Sequence, residues 1–183
     1  QGVGTSIKHF AVNSQEKKRL AIDSVVDERA LREIYLTAFE IAVKKAQPWT
    51  VMTAYNKVNG TYCSENRHLI KDILKDEWGF EGIAVTDWGA ANDRIVGLEN
   101  GNELEMPSSN GYYDKKICTA VRNSKLSESV VDEAADKILT LIKKSEANLK
   151  DGYTYDKEAH HELAAKICSE SIVLLKNDEN MLP

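Results

Sequence analysis

Ile83-Ala84-Val85 runs without a polar break into Thr86-Asp87-Trp88-Gly89. An apolar run with no alternation describes a strand covered on both faces, and such strands belong to parallel sheets packed between helices. That requirement removes most architectures, because each parallel neighbour must be reached by a crossover, usually a helix. It also puts Asp87 and Trp88 at the carboxyl end of the strand, the end that carries the chemistry in a (β/α) barrel.

The flanking sequence supplies the crossovers. Residues 4–10 read as a strand ending in Lys8-His9, and the polar stretch 11–26 as a surface loop. Over residues 27–46, Leu31, Ile34, Tyr35, Ala38, Ile41 and Ala42 recur at helical spacing. Asp27 and Glu28 at the start and Lys44 and Lys45 at the end suit the helix dipole, and Gln47-Pro48 stops it. Residues 50–55 form a second strand and 56–66 a turn-rich loop. Residues 67–78 form a helix with Leu69, Ile70, Ile73 and Leu74 inward. A short helix (91–98), a weak fourth strand (103–106) and helices over 112–124, 127–147 and 156–171 follow. In the longest of these, Leu139, Leu141 and Ile142 are expected to be buried. Val51, Ile83 and Val85 are expected to form an inward apolar face. The fold class this predicts is α/β: a partial (β/α)8 TIM-type barrel of about four parallel strands with flanking helices. The barrel piece is assigned to residues 1–150.

Composition excludes several classes. With 183 residues the chain has room for one domain, or one domain plus part of another. No apolar run approaches the ~20 residues of a membrane span. A net charge of −5 argues against a nucleic-acid partner. Cys63, Cys118 and Cys168 are too widely spaced for a disulfide framework or a Cys-x-x-Cys metal site, and their odd number fits a reducing, cytoplasmic location. There is no Gly-rich phosphate loop and no metal-ligand spacing, so neither metal nor cofactor is expected. Asn59-Gly60-Thr61 is formally a glycosylation sequon, but Asn-Gly is equally a turn signal, and the turn is preferred. The chain opens on Gln-Gly-Val-Gly without an initiator Met, and both ends are expected to be cuts.

Three strand ends carry functional-looking residues: Lys8-His9, Met52 with Tyr55, and Asp87-Trp88. In a parallel sheet these ends share one rim. An acid beside a large flat ring suits a sugar, whose C–H face the ring can cover. Lys8 and His9 can donate to hydroxyls and place positive potential near Asp87, which favours its ionised, nucleophilic form. Arg19, on the loop after the first strand, can reach the same rim. Plainer roles stand beside these: Asp87 as a helix cap, Met52 as core, Tyr55 as packing. The Lys-His pair is harder to explain by packing, since lysine is almost never buried unpaired. His68, His160, His161, Asp76 and Glu77 read as surface residues.

Lys8-His9-Phe10 with Asn13-Ser14-Gln15-Glu16, the stretch Asp27-Glu28-Arg29-Ala30-Leu31-Arg32-Glu33-Ile34-Tyr35-Leu36, and Met52-Thr53-Ala54-Tyr55-Asn56-Lys57-Val58-Asn59-Gly60 resemble glycoside hydrolase family 3, in its β-glucosidase branch. So do Trp78-Gly79-Phe80-Glu81-Gly82, Thr86-Asp87-Trp88 and Leu104-Glu105-Met106-Pro107. Ala11-Val12-Asn13 replaces the Pro-Gly of the N-acetylhexosaminidase branch. The resemblance implies that Asp87 is the nucleophile and that Lys8, His9, Arg19, Met52, Tyr55 and Trp88 bind the glycone. It implies a parent that hydrolyses terminal β-D-glucosyl residues of β-glucosides or short β-linked oligosaccharides, with retention. The family's acid/base Glu lies on a second α/β sandwich domain. Residues 151–183 resemble the linker helix and lead-in to that domain, so the chain is expected to be the C-terminal half of a barrel. It would depend on a companion segment for the second carboxyl group, or self-associate to cover its open face. A non-catalytic carbohydrate-binding or assembly role, and a Schiff-base chemistry on Lys8, remain open alternatives.

Overall fold

The structure, a computed structural model, describes residues 3–180. Among the described residues seven strands lie in chain order: β1 (Ser6–Phe10), β2 (Asp23–Ser24), β3 (Thr50–Thr53), β4 (Lys57–Val58), β5 (Thr61–Tyr62), β6 (Ile83–Thr86) and β7 (Asn102–Leu104). Four of them form one parallel sheet in the order β1-β3-β6-β7. Helices α1 (28–46), α2 (His68–Glu77) and α3 (Arg94–Glu99) connect them. The chain is thus α/β, with a four-stranded parallel sheet and flanking helices, as the strand pattern requires. All four residues of β6 are buried. Gly82 is required where β6 begins, because a Cβ there would collide with the Trp49 carbonyl oxygen.

Register decides which side chains share a face. Met52 pairs with Val85, whereas Val51 pairs with Ala84, so Val51 lies on the face opposite Ile83 and Val85. It sits in the core formed with Leu69, Ile73 and Leu74 of α2. The expected common inward face of Val51, Ile83 and Val85 is therefore wrong in direction, and all three are 6% exposed or less. On β1, Ile7 pairs with Val51 and Phe10 with Thr53, so two residues, Lys8 and His9, stand opposite Met52 alone. That is a bulge, the device that re-aims side chains at a sheet's rim. The Lys8–His9 and Phe10–Ala11 peptide bonds are cis.

Helix α1 begins at Asp27, whose carboxylate accepts the Ala30 N–H at 2.9 Å. A wide turn follows: the Leu36 N–H bonds the Leu31 carbonyl, five residues back. The extra residue rotates everything after it. Leu31, Leu36 and Val43 are consequently buried, while Ile34 and Ile41, which the regular spacing placed inside, are 69% and 51% exposed. In α2 the four expected inward residues are buried.

Two further helices, α4 (Tyr112–Arg122) and α5 (Glu128–Asn148), follow β7. Leu98, Ala120, Leu126 and Ala134 form a second core with Val130 and Val131 against it. The inner stripe of α5 is Val130, Ala134 and Lys137, with Leu141 half-buried; Lys144 lies 5.0 Å from the Trp49 ring. Leu139 and Ile142 are 50% and 47% exposed, contrary to expectation. The stripe includes Lys137, whose stem packs while its charge pairs with Glu103 and Glu133, and an apolar residue count alone misplaces it.

The loop expected over residues 56–66 contains structure. Lys57–Val58 and Thr61–Tyr62 pair antiparallel around Asn59-Gly60, both with positive φ (50° and 91°). This is the Asn-Gly hairpin. β2 pairs parallel with β4 and completes a three-stranded sheet. The described residues divide into two compact units, one ending at Leu149 and one starting at Lys150. The second contains α6 (Lys157–Ser171), capped by Asp156 accepting the Ala159 N–H at 2.9 Å, with Tyr155 stacked on His160.

Candidate active site

Asp87 follows directly on β6, and its backbone N–H still bonds the Thr53 carbonyl of β3 at 3.2 Å. The sheet ladder thereby fixes its Cα although the residue lies past the strand. Asp87 is 8% exposed. Its Oδ1 accepts the Trp88 N–H at 2.6 Å. Its Oδ2 is buried and has no hydrogen-bond partner among the described residues. His9 Nε2 lies 3.4 Å from that oxygen, within ion-pair reach but without hydrogen-bond geometry. A carboxylate with one oxygen tied to the backbone and the other free is oriented and unspent, which is what a nucleophile requires.

Tyr55 stands just past β3. Its hydroxyl donates to the Trp88 carbonyl at 2.8 Å, holding the loop that carries Asp87 rather than Asp87 itself. Burial, then the Asp87 charge and contact, push the phenol above its ordinary pKa, with Arg19 opposing; the hydroxyl stays protonated and able to donate. The Arg19 guanidinium lies 4.7 Å from the Tyr55 ring centroid, a cation–π contact, and Glu16 holds it by an ion pair at 2.7 Å. The structure thus brings His9, Asp87, Tyr55, Trp88 and Arg19 into one chain of contacts. The Trp88 indole is 63% exposed and free to meet a ligand.

Lys8 and Met52 join less directly. Lys8 is exposed, next to His9 in the bulge, and Met52, half-buried, stands opposite both. The exposure of Lys8 is unlike the desolvated setting that activates a Schiff-base lysine. Asp76 and Glu77 sit on the solvated side of α2, Glu77 paired with Arg32 at 2.6 Å, and His68 pairs with Glu28 at 3.0 Å.

Some supporting residues carried no sequence signal. Asn56 is fully buried, and its amide donates to the carbonyls of Ala11 and Val12, at 3.2 and 3.4 Å, fixing the start of the loop that leads to Arg19. Cys63 Sγ reaches the Ala11 carbonyl at 3.4 Å. Glu105, past the end of β7, points elsewhere: it contacts Ser109 and faces Arg94, and burial raises its pKa against the pull of that arginine. Within β7, Glu103 is buried between Lys75 and Lys137 and accepts the Ala84 N–H at 2.8 Å. No group of three or more His, Cys, Asp or Glu with metal-binding geometry occurs among the described residues.

The chain is similar along its whole length to several known proteins. Thermostable beta-glucosidase B of Acetivibrio thermocellus is 55% identical over 183 residues, all of this chain and 24% of that protein. An exo-alpha-(1->6)-L-arabinopyranosidase of Bifidobacterium breve is 50% identical over 184 residues, again 24% of its length. Among solved structures, a beta-glucosidase of Bifidobacterium adolescentis superposes with a TM-score of 0.88 at 47% identity, covering 100% of this chain and 27% of that one. Beta-glucosidase 3B of Thermotoga neapolitana, in complex with alpha-D-glucose, gives 0.87 at 44% identity, covering 98% and 26%. The chain therefore spans about a quarter of the length of the proteins it matches. The family description Glycosyl hydrolase family 3 N terminal domain matches residues 1–141, and the chain belongs to glycosyl hydrolase family 3.

Proposed function

We propose that this chain is the nucleophile-bearing part of a retaining β-glucosidase, with Asp87 as the nucleophile. The observation that carries the proposal is the Asp87 carboxylate: Oδ1 is bonded to the Trp88 N–H and Oδ2 is free, 3.4 Å from His9. In the first step Oδ2 attacks the anomeric carbon and the bond to the aglycone oxygen breaks. A protonated carboxyl group, about 5–5.5 Å from Asp87, gives its proton to the departing alcohol. Water then attacks the same carbon, the second carboxylate takes its proton, and Asp87 leaves. The second carboxyl group comes from a segment outside these residues. His9, Arg19 and Lys8 bind hydroxyls of the glycone, Trp88 and Met52 lie against its apolar face, and Tyr55 holds the nucleophile loop. The three unpaired cysteines suit a reducing, cytoplasmic setting.

A second reading concerns the glycone alone. The 50%-identical relative named for L-arabinopyranosides favours a pentopyranose, which lacks the exocyclic hydroxymethyl of glucose. Both glycones use the same chemistry. The test is a full-length enzyme in which this chain replaces the matching segment of the 55%-identical relative. It is assayed on chromogenic β-glucoside and α-L-arabinopyranoside, with the first-formed anomer followed by NMR. Cleavage of the glucoside with retention, loss of turnover in Asp87→Gly and partial rescue by azide are expected. Turnover by Asp87→Gly without azide would defeat the assignment, and preferential cleavage of the arabinoside would select the second glycone.

A further inference from the structure

We propose that Thr86 is a positioning residue for the nucleophile: its hydroxyl, bonded to the backbone of Met106, fixes which oxygen of Asp87 is left free to attack. This rests on the reading of Asp87 above. Thr86 is 1% exposed at the end of β6. The backbone ladder between β6 and β7 ends at the pair Val85 and Leu104. Beyond it the Thr86 side chain takes over the pairing. Oγ1 accepts the Met106 N–H at 2.8 Å and contacts the Met106 carbonyl oxygen at 3.2 Å as donor. The same carbonyl accepts the Gly89 N–H at 2.8 Å.

One residue of the neighbouring segment, Met106, therefore grips the chain on both sides of Asp87 and Trp88 through its N–H and its carbonyl. Between the grips, the Trp88 N–H points at Asp87 Oδ1 at 2.6 Å, and the Ala90 N–H closes onto the Asp87 carbonyl at 3.0 Å. Tyr55 holds the Trp88 carbonyl from the β3 side. The peptides on either side of the Asp87–Trp88 peptide are thus held by neighbouring segments, Thr86–Asp87 by the Thr53 carbonyl and Trp88–Gly89 by Tyr55 and Met106, and this limits the plane of the peptide between them, which determines which carboxylate oxygen is occupied. Shape alone does not call for threonine here. Valine fills the same volume in a buried strand, but it offers nothing to the Met106 N–H and leaves its carbonyl with Gly89 only. The peptide plane then gains freedom, and Oδ1 and Oδ2 lose their distinct roles. Small misplacements of a nucleophile are costly, since near-attack geometry accounts for much of the rate.

The test uses the full-length replacement enzyme described above, unmodified and as Thr86→Val and Thr86→Ser. Each is treated with an activated 2-deoxy-2-fluoro-β-glucoside, and the limiting rate of inactivation, kcat, KM, inhibition by glucose and Tm are measured. Thr86→Val is expected to lower the limiting inactivation rate and kcat by roughly 10- to 100-fold, with KM and glucose inhibition close to unmodified. Thr86→Ser, which keeps the hydroxyl, is expected to recover most of the rate. An unchanged inactivation rate in Thr86→Val, even with a lower Tm, would overturn the proposal by making Thr86 structural only. A raised KM with unchanged kcat would overturn it as well. If Thr86→Val does not fold, Thr86→Ala is measured against the same criteria. If the unmodified enzyme is never labelled, the nucleophile reading fails and this inference falls with it; labelling at equal rates in both defeats only this inference.

Discussion

Replacing Glu103 with Gln should destabilise the protein by about 3–4 kcal/mol at neutral pH, and the loss should shrink as pH rises. The Glu103 side chain is 3% exposed and every oxygen is used: Lys75 and Lys137 meet Oε1, and the Ala84 N–H donates to Oε2. Gln keeps the shape and one acceptor for Ala84, but turns an N–H₂ or a neutral oxygen toward two ammonium groups. Lys137 is a third exposed and retains Glu133 at 2.9 Å, so it loses little. Lys75, whose side chain is 12% exposed, keeps only the Gly101 carbonyl. Removing one partner of a buried pair costs about 3–5 kcal/mol. That cost has a ceiling, because Lys75 can give up its proton: from an unfolded pKa near 10.4 this takes roughly 4–5 kcal/mol at pH 7 but about 2 kcal/mol at pH 9. Burial already lowers the Lys75 pKa, with Glu103 opposing; without Glu103 it falls further. A cation whose folded pKa lies below its unfolded value destabilises at low pH and ceases to do so as pH rises toward the unfolded pKa. Urea unfolding of wild type and Glu103→Gln at pH 7 and pH 9 gives the difference directly, and Lys75→Met in the variant background should restore part of the loss at pH 7. A loss below about 1 kcal/mol at pH 7, the level of an exposed pair, would show that Glu103 is not a buried partner of Lys75, and a loss that grows with pH would contradict proton release from Lys75.

The wide turn in α1 predicts unequal leucine and isoleucine: Leu36→Ala should cost about 2–5 kcal/mol and Ile41→Ala under about 0.5 kcal/mol in the same urea assay, and the reverse order would return α1 to a regular helix. Cys63 is buried and burial pushes its thiol up to about 12, whereas Cys118 and Cys168 are exposed. At pH 8, N-ethylmaleimide should therefore modify Cys118 and Cys168 in the native protein and reach Cys63 only in denaturant, as mass spectrometry of the labelled peptides would report; equal labelling of Cys63 in the native protein contradicts its packing. Because the folded thiol pKa is raised, its stabilising contribution is complete below the ordinary thiol pKa. It is lost as pH climbs from there toward 12, at roughly 1.4 kcal/mol per pH unit.

Much of the fold was legible because it depends on local pattern. The uninterrupted run at Ile83–Thr86 demanded a parallel sheet, and Leu69, Ile70, Ile73 and Leu74 kept strict helical spacing over a buried face. Departures arose where one extra residue shifts the period. The turn from Leu31 to Leu36 and the Lys8-His9 bulge each insert a residue, and each reassigns every side chain near it. On α5 the inner stripe runs through Lys137, which hydropathy counts as surface although its charge meets Glu103. Two-residue strands such as Asp23–Ser24 have no period at all. At the candidate site, the meeting of Asp87, His9, Tyr55, Arg19 and Trp88 was legible from their strand ends and flanking loop. Thr86 and Asn56 were not, because their roles lie in bonds to backbone groups distant in sequence, at Met106 and at Ala11 and Val12.

If Asp87 Oδ2 forms the covalent bond to the sugar, as proposed, a trapped glycosyl-enzyme must carry the sugar on this residue. The full-length replacement enzyme is inactivated with an activated 2-deoxy-2-fluoro-β-glucoside, digested and mapped by tandem mass spectrometry. A single fluoroglucosyl group on Asp87, absent from Asp87→Gly, is the predicted result; a label on any other residue, with Asp87 unmodified, would contradict it.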